Sequence, residues 1–102
     1  VKGTEALLGF THFPKTCILE LDGVDSGVSR NFFEKVWNRL EELEIPFTLH
    51  WGKINFILNP ALVQKMYGDN VAKWKECRTQ LLSEKSKKVF TNSFMVQCGL
   101  AD

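Results

Sequence analysis

The amphipathic pattern over residues 29–44 constrains the fold more than any other feature of this sequence. Apolar side chains recur along it at helical spacing: Phe32, Val36, Leu40 and Leu43, flanked by Phe33 and Trp37. Since an α-helix turns once in about 3.6 residues, these side chains share one stripe that faces a core. Ser29 is a suitable N-cap, and Pro46 ends the helix because the residue before a proline avoids helical dihedral angles. The pattern predicts a helix of about four turns.

Strands are predicted on both sides of this helix. Side chains alternate from residue 16 to residue 22, with Cys17, Leu19 and Leu21 on one side and Ile18, Glu20 and Asp22 on the other. Residues 47–51 alternate again, and residues 54–58 are predicted to form a third short strand or an extended run. The tail over residues 89–100 is predicted to hold a final strand or turn. The helix over 29–44 is then the crossover of a β-α-β unit.

Two further helices are predicted in the second half of the chain. Asn59 and Pro60 form a helix start, with a capping amide and a proline at the first helical position. Gly68 is a fitting terminator for that short helix, and Asn70 caps another helix that runs to about Ser83. The predicted fold class is α+β, a small sheet with helices packed on one face, ferredoxin-like in part. The whole chain, residues 1–102, is predicted to be one small domain.

The charge balance argues against nucleic acid as a partner. The 13 basic and 12 acidic residues nearly cancel, so no net field attracts a polyanion or an anionic membrane. Membrane association is not indicated either, since no apolar stretch approaches the roughly 20 residues of a membrane span. The sequence starts at Val1 without a methionine, which leads us to expect a fragment, a processed chain or an excised domain.

The three cysteines bear on the compartment. Cys17, Cys77 and Cys98 are widely separated and lack any CxxC spacing, which argues against a zinc site and against a disulfide framework. We expect reduced thiols in or near the core, which weakly favours an intracellular location.

Chemistry concentrates in the tetrapeptide His50-Trp51-Gly52-Lys53. His50 can carry a proton or bind a ligand, and Lys53 can place an ammonium against a phosphate, a carboxylate or a developing anion. Gly52 permits a positive φ or the close approach of another backbone. The alternatives are a structural histidine, a solvated lysine and a bulge that serves only the sheet. His12 has no metal-ligand spacing to His50, so no metal site is predicted.

Other polar residues admit two interpretations each. Arg78 falls on the apolar stripe of its helix, where a guanidinium must either extend outward to water or find a buried acceptor. Glu20 and Asp22 share one face of a predicted strand about 7 Å apart, which suits general acid–base chemistry or two solvated charges. The sequence contains no recognisable nucleophile motif, GxGxxG or P-loop.

The order of these residues resembles the C-terminal end of the FAD-linked sugar-lactone and alditol oxidases, relatives of the vanillyl-alcohol oxidase family. Members typically carry a His-Trp-Gly-Lys-like element, a helix ending near a tyrosine, an aromatic-x-x-x-Arg helix and a closing Phe-x-Asn with another aromatic. The corresponding residues here are His50 to Lys53, Tyr67, Trp74 to Arg78, and Phe90 to Asn92 followed by Phe94. The resemblance covers about half of the chain, residues 46–95.

The resemblance implies that this chain is the C-terminal part of a larger flavoenzyme, its cap or substrate domain. The partner is then the flavin-binding domain of the same enzyme, which is absent from this chain and binds most of the FAD. His50 and Lys53 are the implied catalytic residues, next to a small polar alcohol or lactone substrate. Trp51, Gly52 and Lys53 are the implied cofactor contacts, and Arg78 and Asn92 are implied to hold the C-terminal segment in place. Alone, the chain is expected to be catalytically silent.

Two other functions remain open at this point. One is an independent small α+β protein-interaction module without catalysis. Such a module should lack a large exposed apolar patch, whereas a part severed from a larger enzyme should display one. The other is a stand-alone enzyme that uses Glu20, Asp22 and His50, which requires those side chains to converge within about 10 Å.

Overall fold

The computed structural model describes residues 1–101, and this part of the chain forms helices without a β-strand. The helices are α1 (Gly27–Glu42), α2 (Pro60–Tyr67), α3 (Asn70–Leu81), α4 (Glu84–Val89) and α5 (Ser93–Gln97). The nearest approach to a sheet within residues 1–101 is an isolated antiparallel bridge between Lys2 and Lys15. The predicted α+β fold class, with its small sheet and its ferredoxin-like β-α-β unit, is therefore wrong.

The segments predicted as strands lack a pairing partner. Residues 17–24 have no regular structure and make no backbone hydrogen bond to any other part of residues 1–101. Residues 47–51 lead into a turn, and residues 54–58 contain a second turn in which the Leu58 amide donates to the Asn55 carbonyl at 3.1 Å. Alternating side chains meet one requirement of a strand, but the backbone also needs a hydrogen-bonding neighbour. The tail over residues 89–100, predicted to hold a strand or turn, forms no strand; it holds α5 and turns at residue 90 and residues 98–99.

The predicted helix over residues 29–44 exists, with different ends. It begins at Gly27, because the Ser26 hydroxyl caps it by accepting from the Ser29 amide, so Ser29 lies inside the first turn. Its last residue is Glu42, so the helix has already ended before the residue that precedes Pro46. Glu44 takes a left-handed conformation with φ 54°, and the Ile45 amide donates to the Leu40 carbonyl at 2.9 Å. This hydrogen bond is the signature of a Schellman motif, which ends the helix through Glu44 rather than through the proline.

The buried face of α1 is not the predicted one. Phe33 and Trp37 are buried, whereas Phe32 and Leu43 of the predicted stripe are each 50% exposed. Trp37 packs edge-to-face against Phe56, with ring centroids 5.2 Å apart. The six apolar positions of this helix extend over more than one stripe, so spacing alone left open which pair faces inward.

The predictions for α2 were confirmed at both ends. Asn59 caps the helix, since its Oδ1 accepts from the Leu62 amide at 3.0 Å, and Pro60 is the first helical residue. Gly68 follows the last residue with φ 53° and ψ −132°, a conformation that strongly favours glycine. α3 was also predicted, although Asn70 is its first residue and Asp69 occupies the capping position without a side-chain cap.

The core lies between α2, the start of α3 and the residues that follow α5. It comprises Leu58, Val63, Met66, Tyr67, Val71, Cys98 and Leu100. Gly99, at φ 69°, turns the chain after α5 so that Cys98 and Leu100 both point into this core. A Cβ at Gly99 would stand 2.7 Å from the Cβ of Pro60, so the absent side chain lets the end of α5 approach the start of α2. The prediction of thiols in or near the core holds for Cys98, while Cys17 and Cys77 are exposed.

The described chain leaves much apolar surface in water. Its radius of gyration is 15.0 Å, against about 13 Å expected for a compact domain of 100 residues. Several large apolar side chains of the first half are exposed, among them Ile18, Leu19, Val24, Val28 and Phe32. No helix within residues 1–101 is long and apolar enough to cross a membrane.

Candidate functional site

The tetrapeptide His50-Trp51-Gly52-Lys53 forms a tight turn at the protein surface. The Lys53 amide donates to the His50 carbonyl at 3.1 Å, which closes a β-turn and holds the two Cα atoms within about 7 Å. The Asn55 side-chain amide donates to the Trp51 carbonyl at 2.7 Å and fixes the turn from the following segment. The structure thus brings together the two residues predicted to be catalytic. We call this element the 50–53 turn.

Trp51 attaches the 50–53 turn to the core. Its ring meets Tyr67 of α2 at right angles with centroids 5.7 Å apart, and meets Phe94 of α5 at 5.6 Å. Edge-to-face aromatic pairs contribute about 0.5–1.5 kcal/mol beyond the area that they bury. The indole predicted to contact a cofactor is therefore half-buried and packs between two helices, with part of it at the surface.

Gly52 is exposed and does not use the conformation that was considered for it. Within residues 1–101 the glycines with positive φ are Gly68 and Gly99, so the positive φ considered for Gly52 was wrong. A Cβ at Gly52 would lie 3.6 Å from the imidazole atoms Cε1 and Nε2 of His50, an ordinary contact distance. A side chain at this position would touch the imidazole, and the close approach of another backbone to Gly52 stays a prediction.

His50 and Lys53 both reach water. The His50 ring contacts Phe10, with centroids 5.3 Å apart and an angle of 51° between the planes. The Lys53 ammonium has no ion pair or hydrogen bond within residues 1–101. An exposed cation beside an exposed imidazole can bind an anionic or polar group from outside the chain.

Two polar atoms beneath the turn have no hydrogen-bond partner among the described residues. They are the indole Nε1 of Trp51 and the hydroxyl of Tyr67, both buried. Burial raises the pKa of Tyr67 to about 12, against a smaller opposing effect of the Thr48 side chain. The Thr48 hydroxyl itself donates to the Phe10 carbonyl. A buried donor without an acceptor costs about 1–3 kcal/mol, so the packing of this aromatic cluster must offset that cost.

Tyr67 gives a direct test of this burial, because it is the chain's single tyrosine. The near-ultraviolet absorbance of tyrosinate should titrate at about pH 12 in the folded protein and near pH 10 in urea. The folded state holds the proton more tightly, so the stability contributed by this group is present below pH 10 and is lost as the pH rises towards 12. The matched control is Tyr67→Phe, which should show no such absorbance change. A midpoint near 10 for the folded protein would contradict the buried hydroxyl.

Arg78 finds buried acceptors, which decides between its two interpretations. Its Nη2 donates to the Thr91 hydroxyl at 2.6 Å and to the Lys87 carbonyl at 3.2 Å. These bonds tie α3 to the end of α4. The neighbouring Asn92 caps α5, since its Oδ1 accepts from the Met95 amide at 2.9 Å. Both residues hold the C-terminal helices in place.

The paired carboxylates do not join the 50–53 turn. Glu20 and Asp22 are exposed in the irregular segment before α1, and within residues 1–101 neither forms a hydrogen bond or ion pair with His50. Residues 1–101 contain no group of three or more His, Cys, Asp or Glu side chains placed to hold a metal ion. The structure gives no support to the stand-alone enzyme.

A separate cleft of about 300 Å³ lies between the end of α1 and α2. Its walls include Phe13, Phe47, Leu62 and Met66, and Lys65 forms an ion pair with Glu41 beside it. None of the cleft-lining residues belongs to the 50–53 turn. Sequence reasoning missed this cleft and also the contact between Phe10 and His50. Each depends on residues far apart in sequence, and no local pattern marks them.

The chain is a small helical unit that exposes a histidine and a lysine on a surface turn anchored by a tryptophan. No protein-family model matches this chain, and neither a curated protein nor a solved structure does.

Proposed function

We propose that this chain is the C-terminal cap-domain portion of an FAD-dependent oxidoreductase that acts on the CH–OH group of alcohols or sugar lactones. One observation carries the proposal. The residues that resemble the oxidase motif form an anchored turn, in which His50 and Lys53 are both exposed. Tyr67 and Phe94, two later members of the same ordered set, are the residues that pack on Trp51.

The residues of the turn could supply only part of a flavin site. The described chain offers one cation and one imidazole there, and the sequence has no glycine-rich loop for the phosphates of FAD. FAD, when bound, supplies the two-electron acceptor. With FAD in place, Lys53 would supply a positive charge that stabilises negative charge on the reduced flavin, and His50 would hold the substrate hydroxyl.

The partner in this proposal is the flavin-binding domain of the same enzyme. Exposed apolar side chains such as Leu19, Val24 and Val28, the last 81% exposed, support a covering partner. The expanded radius of gyration supports it as well. The competing proposal, an independent interaction module, is expected to lack such a surface. The isolated chain is expected to be catalytically inactive, because most of the flavin site belongs to the partner.

The test is reconstitution of this chain with its flavin-binding domain, followed by assays with sugar lactones, alditols and simple alcohols. The native sequence should reduce the flavin and turn over at least one of these substrates. Lys53→Ala should lower kcat by about 100-fold, since it removes a charge that acts in the transition state. Lys35→Ala, which removes an exposed lysine of α1, is the matched control and should leave kcat unchanged.

Two results have different meanings. Failure of the flavin-loaded native protein to oxidise any of these substrates would refute the proposed function. Normal turnover by Lys53→Ala would remove only the role given to that lysine.

A further inference from the structure

We propose that Phe10 is the positioning residue of His50, carried onto the imidazole by the N-terminal loop over residues 4–11. The inference deepens the proposed function, and its catalytic meaning rests on that function. Phe10 is 45% exposed, yet its ring lies 5.3 Å from the His50 ring, centroid to centroid. A large apolar side chain at the surface, held against a titratable ring, restricts the rotamers that this ring adopts.

The loop that carries Phe10 is closed by its own backbone. The Thr4 amide donates to the Thr11 carbonyl at 2.9 Å, and the Gly9 amide donates to the Ala6 carbonyl at 3.2 Å. The Gly3 amide adds a bond to the Pro14 carbonyl at 3.2 Å, next to the bridge at Lys2. Residues 4–11 therefore form a compact loop with a fixed base, and Phe10 lies near its second end.

One hydrogen bond fastens this loop to the segment that leads into the 50–53 turn, and His12, just after the loop, contacts the residue that supports the turn. The Thr48 hydroxyl donates to the Phe10 carbonyl, which fixes the backbone of Phe10 relative to a residue two positions before His50. His12 packs edge-to-face on Tyr67 with centroids 5.4 Å apart, and Tyr67 is the residue that holds Trp51. The loop and the turn thus share one support, so Phe10 keeps its place relative to the imidazole.

The imidazole is bordered by Phe10 and by Gly52. A Cβ at Gly52 would lie 3.6 Å from Cε1 and Nε2, so the missing side chain leaves those two atoms uncovered on that side. Phe10 favours one orientation of the ring over the others by about 2- to 10-fold, the range expected for one aromatic pair. His50 is thereby preorganised before a substrate arrives, which is the way in which a positioning residue raises kcat.

The first experiment measures the orientation of His50 in the isotope-labelled chain by NMR, from χ1 scalar couplings and ring-to-ring NOEs. The native protein should show one dominant His50 rotamer with NOEs to Phe10. Phe10→Leu, which keeps an apolar side chain but no aromatic face, should average the His50 couplings, and Phe10→Tyr should restore the dominant rotamer. Phe32→Ala, which removes another half-exposed phenylalanine, is the control and should leave His50 unchanged. Unchanged His50 couplings in a folded Phe10→Leu protein would overturn the proposal.

The second experiment uses the protein reconstituted with its flavin-binding domain. Phe10→Leu should lower kcat by about 10-fold while KM changes less than about twofold, because orientation is lost and binding is retained. Phe10→Tyr should recover most of kcat. An equal kcat for Phe10→Leu and the native enzyme would refute the catalytic consequence. Oxidase activity that is absent even in the native protein, together with a Phe10-dependent rotamer, would refute the proposed function and leave the positioning of His50 established.

Discussion

Replacing Arg78 with methionine should lower the free energy of unfolding by about 2–4 kcal/mol, since it removes buried charge-assisted hydrogen bonds. Arg78 is 6% exposed. Its Nη2 donates to the Thr91 hydroxyl, which in turn donates to the Lys87 carbonyl at 2.6 Å, while Arg78 also reaches that carbonyl directly. Methionine keeps much of the side-chain volume but leaves the carbonyl and the hydroxyl without this donor.

The measurement is the urea dependence of tryptophan fluorescence. Arg39→Met is the matched control, because Arg39 also lies in the last turn of a helix but pairs with Glu42 at the exposed surface. Exposed ion pairs contribute about 0–1 kcal/mol, so this control should change stability little. Hydrogen exchange should accelerate in α4 and α5 of the Arg78 variant before it does in α2. Equal losses for both arginines would show that the buried network does not stabilise the fold.

Replacing Trp51 with alanine should cost about 2–4 kcal/mol and should release the 50–53 turn from the core. The indole packs on Tyr67 and Phe94, so its removal opens a cavity between α2 and α5. The Lys53 amide, which closes the turn, should then exchange its hydrogen faster.

Trp51→Phe is the informative control for this prediction. Phenylalanine keeps an aromatic ring in the cluster and removes the buried Nε1 that lacks a partner within residues 1–101. The smaller cavity and the removed donor have opposite effects, so the loss of stability should be less than half of that for alanine. Unfolding free energy by urea titration separates the variants. If the Trp51→Ala and Trp51→Phe variants had equal unfolding free energies, Trp51 would not be the anchor of the turn.

The sequence predicts both ends of α2, where residues act on the adjacent backbone, but it places the caps of α1 and α3 at Ser29 and Asn70 instead of Ser26 and Asp69. Asn59 caps its helix with its own side chain, and Gly68 ends that helix through a conformation that glycine adopts easily. Both signals are local, and both were predicted. Glu44 ends α1 in a left-handed conformation that glutamate rarely adopts, so nothing in the residue type marked that end.

The absence of a sheet could not be predicted from local signals, because a strand depends on a hydrogen-bonding neighbour that sequence alternation does not specify. Residues 16–22 alternate, yet only Thr16 bonds to another segment, at Val1, and residues 17–22 have no backbone hydrogen bond to any other part of residues 1–101. The sequence also did not determine which face of α1 points inward, since Phe33 and Trp37 compete with Phe32 and Leu43 for the buried position. Tertiary packing decided that competition.

The candidate site was predicted in part for the same reason. The four residues of the 50–53 turn are adjacent in sequence, so their chemistry was visible from the start. Their supports were not visible: Thr48 and Phe10 are 38 residues apart, and Trp51 meets Tyr67 and Phe94 only through folding. Arg78 was recognised as unusual because it interrupts an apolar stripe, but its acceptors lie beyond its own helix.

The turn at Gly99 has a consequence for biosynthesis. Leu58 and Val63 emerge from the ribosome well before Cys98 and Leu100, the side chains that complete their surroundings. Until then, the apolar side chains of α2 and α3 are exposed. Under this condition nascent chains bind chaperones or associate with one another. The final residues of the core therefore set the moment at which this part of the polypeptide is safe from aggregation.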